Sequence, residues 1–163
     1  MTLLIRVPCP GWADIAQNFV ELGWLTTGDV HVVDTVAAAL DIDWTRAEAA
    51  ALLGLAFAVR APREGHVGVD LSTVQETAVL DRQRGQGAQA SPPAPRWPPA
   101  DGWSRQVAGL DERLLAQVAR AEQSVAAPFI LHGSLLYLHR MYFYQAQVAQ
   151  MLMLRATDND PPT

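Results

Sequence analysis

Apolar and polar positions recur along this chain with two periods, and each change of period marks a new element. Between residues 14 and 25, Ile15, Phe19, Leu22 and Leu25 fall at helical spacing, with Gly23 where a helix stops. Val30, Val33, Val36, Ala37 and Leu40 form the stripe of a second helix over 29–40, with Asp29 placed to cap it. A third helix is predicted from Thr45, where Thr45 and Glu48 have capping-box spacing. It runs through "AAALLGLAFAV" and ends before Pro62, because the residue preceding a proline avoids helical angles. The period then becomes two. In "GHVGVDL", residues 65–71, Val67, Val69 and Leu71 alternate with His66, Gly68 and Asp70, which predicts a strand with one apolar face. Ser72 and Gln75 are spaced to cap a short helix reaching about Leu80.

Residues 82–104, "RQRGQGAQASPPAPRWPPADGWS", lose all periodicity, and five prolines fall between Pro92 and Pro99. That composition predicts an extended or disordered surface linker. Trp97 and Trp103 are its large apolar groups and are expected to dock on the domain's own surface. Structure is expected to resume at Leu110. Asp111 can cap a helix there, with Leu114, Leu115, Val118 and Ala121 as its buried stripe.

Next comes "FILHGSLLYLHRM", residues 129–141. Gly133-Ser134 has the glycine-first signature of a two-residue hairpin loop. Pairing around it sets His132 opposite Leu135, Leu131 opposite Leu136, Ile130 opposite Tyr137 and Phe129 opposite Leu138. His139 falls beside Pro128. Phe129, Leu131, Leu136 and Leu138 then form an apolar face over the core. A last helix, 142–155, carries Tyr144, Val148, Met151 and Leu152, and 156–163 is a polar tail. The expected fold class is α+β. Five or six helices pack with a sheet of about three strands, in which 65–71 lies beside the hairpin, as one domain over 1–155.

The two hairpin histidines raise the question of a metal. Four residue steps along a strand separate them by roughly 13 Å, whereas zinc ligands sit about 2 Å from the ion. They cannot share one. His31 is expected on the surface of the second helix, and His66 in the polar row of its strand beside Asp70. The one cysteine, Cys9, has no neighbouring histidine in sequence. Acidic residues such as Asp29, Glu48 and Asp111 stand at helix starts, where they complement the dipole. No catalytic, cofactor-binding or metal residue is predicted.

Composition removes further options. The chain has 163 residues and a net charge of −5, and all twelve basic residues are arginine. Without lysine it can form neither a Walker phosphate loop nor a Schiff base. The longest uncharged apolar run, Ala49 to Val59, is too short for a membrane span. No signal peptide is read at the start, so the cytoplasm is the expected location. A winged-helix-like DNA-binding domain is the alternative reading. It would need basic residues on the third helix and the hairpin, which offer mainly Arg46 and Arg60, and Arg140. A small enzyme built on Cys9, or on His66 with Asp70, would need a pocket converging on those groups.

Three segments occur together in order: "FVELGWLTTGDVHVVDTVAAAL", "REGHVGVDL" and "APFILHGSLLYLHRMYFYQAQVAQML". Their succession resembles the N-terminal domain of the RecD-type subunit of exodeoxyribonuclease V, the RecBCD complex, in an actinobacterial style. Gly65 to Leu71 is similar to the family's "GHVCLDL"-like segment. Pro128 to Gln145 is similar to its "PLVLDGDRLYLRRYWRYE"-like segment. The resemblance spans about residues 14–155 outside the linker. Gly68 stands where a cysteine or another small residue is common, Met141 stands in place of an aromatic residue, and Gln145 in place of an acid. RecD-type proteins continue into ATP-dependent helicase domains, which are absent here, so ATP and magnesium are expected only with those domains. The resemblance implies a non-catalytic docking domain that joins the helicase motor to the RecC-type subunit. Through that complex it would meet the RecB-type subunit and DNA in double-strand-break repair and recombination. Trp12, Trp24, Phe143 and Tyr144 are the candidate partner-binding residues, since aromatic anchors dominate protein interfaces.

Overall fold

The computed structural model describes residues 11–42, 49–86, 94–119 and 126–158. Cys9, Thr45, Glu48 and Ala121 lie outside them. Among the described residues, six helices and four short strands follow in the order α1 (Trp12–Glu21), α2 (Thr27–Ala39), α3 (Ala49–Arg60), β1 (Val69–Asp70), α4 (Val74–Gln86), α5 (Ala100–Ala108), β2 (Leu115–Gln117), β3 (Phe129–His132), β4 (Leu135–Leu138) and α6 (His139–Asp158). The α+β class holds.

Local chemistry sets the helix ends. After α1, Gly23 takes φ 78°. Its N–H donates to Val20 O and the Trp24 N–H to Phe19 O, the two bonds of a Schellman stop. The cap of α2 is Thr26 and not Asp29. Thr26 Oγ1 accepts from Asp29 N, and the Asp29 carboxylate accepts from Thr26 N at 2.8 Å, a reciprocal capping box. Asp29 therefore sits inside the first turn. At the end of α3 the chain tightens into a 3-10 turn, Ala61–Glu64, with Pro62 in its first positions.

The helix α3 is the centre of the molecule. Ala51 through Ala58 are all buried, and α1, α2 and α5 pack around it. Small residues let the neighbours approach. A Cβ on Gly54 would sit 3.0 Å from Val107 and 3.4 Å from the Trp103 indole nitrogen. Phe19, Phe57, Trp24 and Trp97 close the other side through edge-to-face contacts with ring centres 5.0–5.8 Å apart.

The sheet has the order β1-β4-β3-β2. The hairpin register is the expected one, from Phe129↔Leu138 to His132↔Leu135, with Gly133 at φ 64° in the turn. As expected, β1 lies beside the hairpin, antiparallel to β4. Phe129, Leu131 and Leu136 join the main core, and Leu138 packs against it. The opposite face is covered too. Ile130 and Tyr137 form a second cluster with Val118 and with Tyr142 from the first turn of α6, and Phe143 packs against it. The sheet is thus sandwiched between the α1–α5 layer and the start of α6.

Three expectations are corrected. The stripe after Asp111 is not a helix. Leu115–Gln117 form a fourth strand, parallel to β3 with Leu115↔Phe129, because β3 offers an open edge that satisfies their backbone groups. The strand at 65–71 shortens to two residues, and Ser72 does not cap α4. Its N–H and hydroxyl donate instead to Asp70 at 2.9 and 2.6 Å. The described ends of the expected linker are structured, since α4 continues to Gln86 and α5 begins at Ala100, while 87–93 lie outside the described residues. Trp103 is fully buried and donates to Ala50 O at 2.7 Å. Trp97 packs into the aromatic cluster. Both indoles dock on the domain itself, as expected, and tie the described part of this segment to the core.

Candidate functional site

The four aromatic residues expected at a partner surface divide into two pairs. Trp12 is 0% and Trp24 5% exposed. The Trp12 Nε1–H donates to Asp34 at 2.9 Å, tying α1 to α2. One Trp24 face carries the Arg82 guanidinium at 4.9 Å, and Arg82 in turn donates to Leu22 O at 2.7 Å. Both tryptophans are spent on this chain's own core, so neither reaches a partner from the outside. The pair on α6 points outward by degrees. Phe143 is half-buried against His139, ring centres 4.7 Å apart, and Tyr144 is 55% exposed.

Beyond Tyr144, α6 leaves the body. Val148, Met151, Leu152, Met153 and Leu154 are all exposed, Leu152 to 61% and Met153 to 72%. No charged residue interrupts the stretch from Met141 to Leu154. Large contiguous apolar surface on a water-facing helix marks a place where something else binds. The sequence carried a signal for this face. Met141, Tyr144, Val148, Met151 and Arg155 are spaced by three, four, three and four residues, the a/d rhythm of a helix that packs on another helix. What sequence alone could not say is that, among the described residues, no helix takes the complementary place.

Several other polar groups hold the fold together. The Asp81 carboxylate, buried among α3 and α4, accepts from Arg60 at 3.2 Å and pairs with His66 Nε2 at 2.9 Å. His66 therefore partners Asp81, not Asp70 as its place in the sequence suggested. A cavity of about 200 Å³ lies beside them, lined by Arg60, His66, Asp70 and Thr77 among others. It is smaller than the usual ligand pocket of about 300 Å³ or more. Its charged walls are committed, Arg60 and His66 to Asp81 and Asp70 to Ser72.

Arg63 grips Asp29 with two donors, Nη2 reaching Oδ2 at 2.8 Å. Burial pushes the Asp29 carboxyl up, but the bonds from Arg63 and the Thr26 backbone outweigh it and hold the group below its ordinary value. Burial also raises Asp70, and donors from Ser72 and Ser134 bring it below the usual range. Burial raises the Tyr137 phenol despite a hydrogen bond with Gln145. Gln145 thus has a structural partner in Tyr137.

The histidines stay apart. His132 pairs with Leu135 next to the turn, while His139 leaves the far end of the hairpin, its Nδ1 donating to Ala127 O at 2.9 Å. Among the described residues no group of three or more His, Cys, Asp or Glu is arranged to hold a metal. Gly68 has a steric reason. A Cβ there would lie 2.5 Å from the Tyr137 ring and 2.9 Å from Leu136 O, so the glycine lets the ring pack directly on this backbone. No helix among the described residues is long and apolar enough to cross a membrane.

Fold and surface define a helical domain closed by a small mixed sheet, with one apolar helix left outside. The family model described as the RecBCD enzyme subunit RecD, N-terminal domain, matches residues 21–137, well over half of the chain. The chain belongs to that family. The match takes in α2 to α5 and the hairpin up to Tyr137, and leaves α6 and all of α1 but its last residue outside. No curated protein and no solved structure matches the chain significantly.

Proposed function

We propose that this chain is a docking domain that joins a RecD-type helicase subunit to a RecC-type subunit, and through it to the RecB-type subunit and DNA, in double-strand-break repair and recombination. The observation that carries this reading is the outward apolar face of α6. Phe143 would sit at the root of the contact, and Tyr144, Val148, Met151 and Leu152 along it. An interface of this kind draws its energy from a few buried aromatic and aliphatic anchors. The domain supplies a rigid base, because Tyr142 and Phe143 fix the first turn of α6 to the sheet.

The alternative, a winged-helix-like DNA binder, needs a third helix with a free, basic face for the major groove. Here α3 is the buried centre of the core, and its Arg60 is held by Asp81. The charge of −5 also works against phosphate binding.

The test is to mix the chain with the RecC-type subunit of the same organism and measure the mass of the product by size exclusion with light scattering. A one-to-one complex that is lost with Val148→Glu supports docking through α6. Separate peaks at micromolar concentrations of both proteins would sink the reading.

A further inference from the structure

We infer that, when its larger partner is absent, two copies of this chain pair antiparallel through the exposed half of α6. The inference deepens the docking proposal and rests on it for the idea that this face is made to be covered.

The argument starts from the heptad. With Met141 at a, Tyr144 is at d, Val148 at a, Met151 at d and Arg155 at a. Leu152 and Leu154 fall at the flanking e and g positions, which widens the apolar strip. Met153, the most exposed of the set at 72%, falls at f, away from the seam.

Direction follows from the ends of the helix. Leaving the body at His139, α6 runs free towards Asp158. A parallel pair would crowd the two bodies together and set Arg155 against its own copy. In an antiparallel pair, a positions meet d positions. Val148 then meets the second copy's Met151, and Arg155 meets the second copy's Tyr144. The one cation of the exposed stretch would rest on the face of an exposed tyrosine, a favourable cation–π arrangement. No charge between Met141 and Leu154 opposes a like charge across the seam. The two bodies lie at opposite ends, and the contact closes as a two-fold dimer.

Its size sets its strength. The free segment from Tyr144 to Thr157 is about 20 Å long at about 1.5 Å per residue. Two such segments bury on the order of 1,000 Å² in all, the lower limit for a specific contact. The pair is therefore weak, with an expected Kd in the range of about 1–100 µM. A weak pair shields the apolar face and yields it to a partner that covers more of it.

Sedimentation equilibrium of the full chain from about 1 to about 500 µM reads this directly. The expected result is a monomer–dimer equilibrium that Met151→Glu weakens by at least about tenfold. Met153→Glu, on the same helix but off the seam, should leave it unchanged. Circular dichroism melts of both variants verify that the fold is intact. Register is read by oxidation in a Cys9→Ser background. Val148→Cys mixed with Met151→Cys should form the mixed disulfide ahead of either homodimer.

A monomer throughout the range, equal loss with Met153→Glu, or preferential Val148→Cys homodimers would each overturn the inference. Adding the RecC-type subunit separates the two proposals. A dimer that gains no RecC-type subunit removes docking and leaves self-association. A one-to-one complex from a chain that never dimerises does the reverse.

Discussion

Two helices of this chain are rich in apolar residues and share almost no other property. In α3, alanine, leucine, phenylalanine and one glycine are buried on every side, under α1, α2 and α5. In α6, methionine, leucine, valine and tyrosine stand in water from Tyr144 onward. The difference lies in side-chain size and position along the chain. Alanine and glycine let neighbouring helices close on α3 to within van der Waals contact, and it has helices on either side in sequence to do so. In α6 the side chains are long, flexible and flanked by glutamines, and the described residues supply no helix to meet them. Apolar composition therefore sorts into core where the domain provides a partner, and into interface where it does not.

The contrast can be broken most severely at the polar weld that holds α3 to α4. Asp81→Ala would leave Arg60, with its side chain 9% exposed, buried without its carboxylate. We expect a loss of about 3–5 kcal/mol in urea denaturation. A loss under about 1 kcal/mol would mean that Glu64, 3.7 Å from Arg60, suffices as its partner.

The direct comparison is Leu53→Ala against Leu152→Ala. The first opens a cavity in a fully buried site and should cost about 2–5 kcal/mol. The second removes an exposed side chain and should change monomer stability by less than about 0.5 kcal/mol. Similar values for the two would show that α6 is covered in solution at the concentration used.

The contact of the sheet with the start of α6 is probed by Gly68→Ala. The added methyl meets the Tyr137 ring and a backbone oxygen, and overpacking of this kind costs about 1–3 kcal/mol. Combined with Tyr137→Leu, the cost should fall, because the ring that blocks the methyl is gone.

The smallest effect is that of pH on the N-terminal layer. The carboxyl of Asp29 titrates below its unfolded value. Its contribution is complete above about pH 4, the unfolded value, and is lost as pH falls from there through the depressed folded value. Thermal melts from neutral to acid pH should show part of the acid destabilisation disappear in Asp29→Asn.

Much of this architecture was legible in the residues themselves. Gly133-Ser134 and the alternation around it determined the hairpin and its register, because a two-residue turn and a period of two leave no freedom to slip. Gly23 stopped α1 through backbone geometry alone. The same succession of segments pointed to the RecD N-terminal family. Other features depended on neighbours distant in sequence. Leu115–Gln117 became a strand because β3 had an edge to fill. Trp97 and Trp103 anchored the described part of a proline-rich stretch to the core. His66 exchanged an expected neighbour four positions away for Asp81, fifteen away.

The division between Trp12 and Trp24 on one side and Phe143 and Tyr144 on the other belongs to that second class. Sequence determined that all four are large, aromatic and suited to burial. Only the tertiary structure decided which are covered, since burial depends on what the rest of the chain brings against each ring.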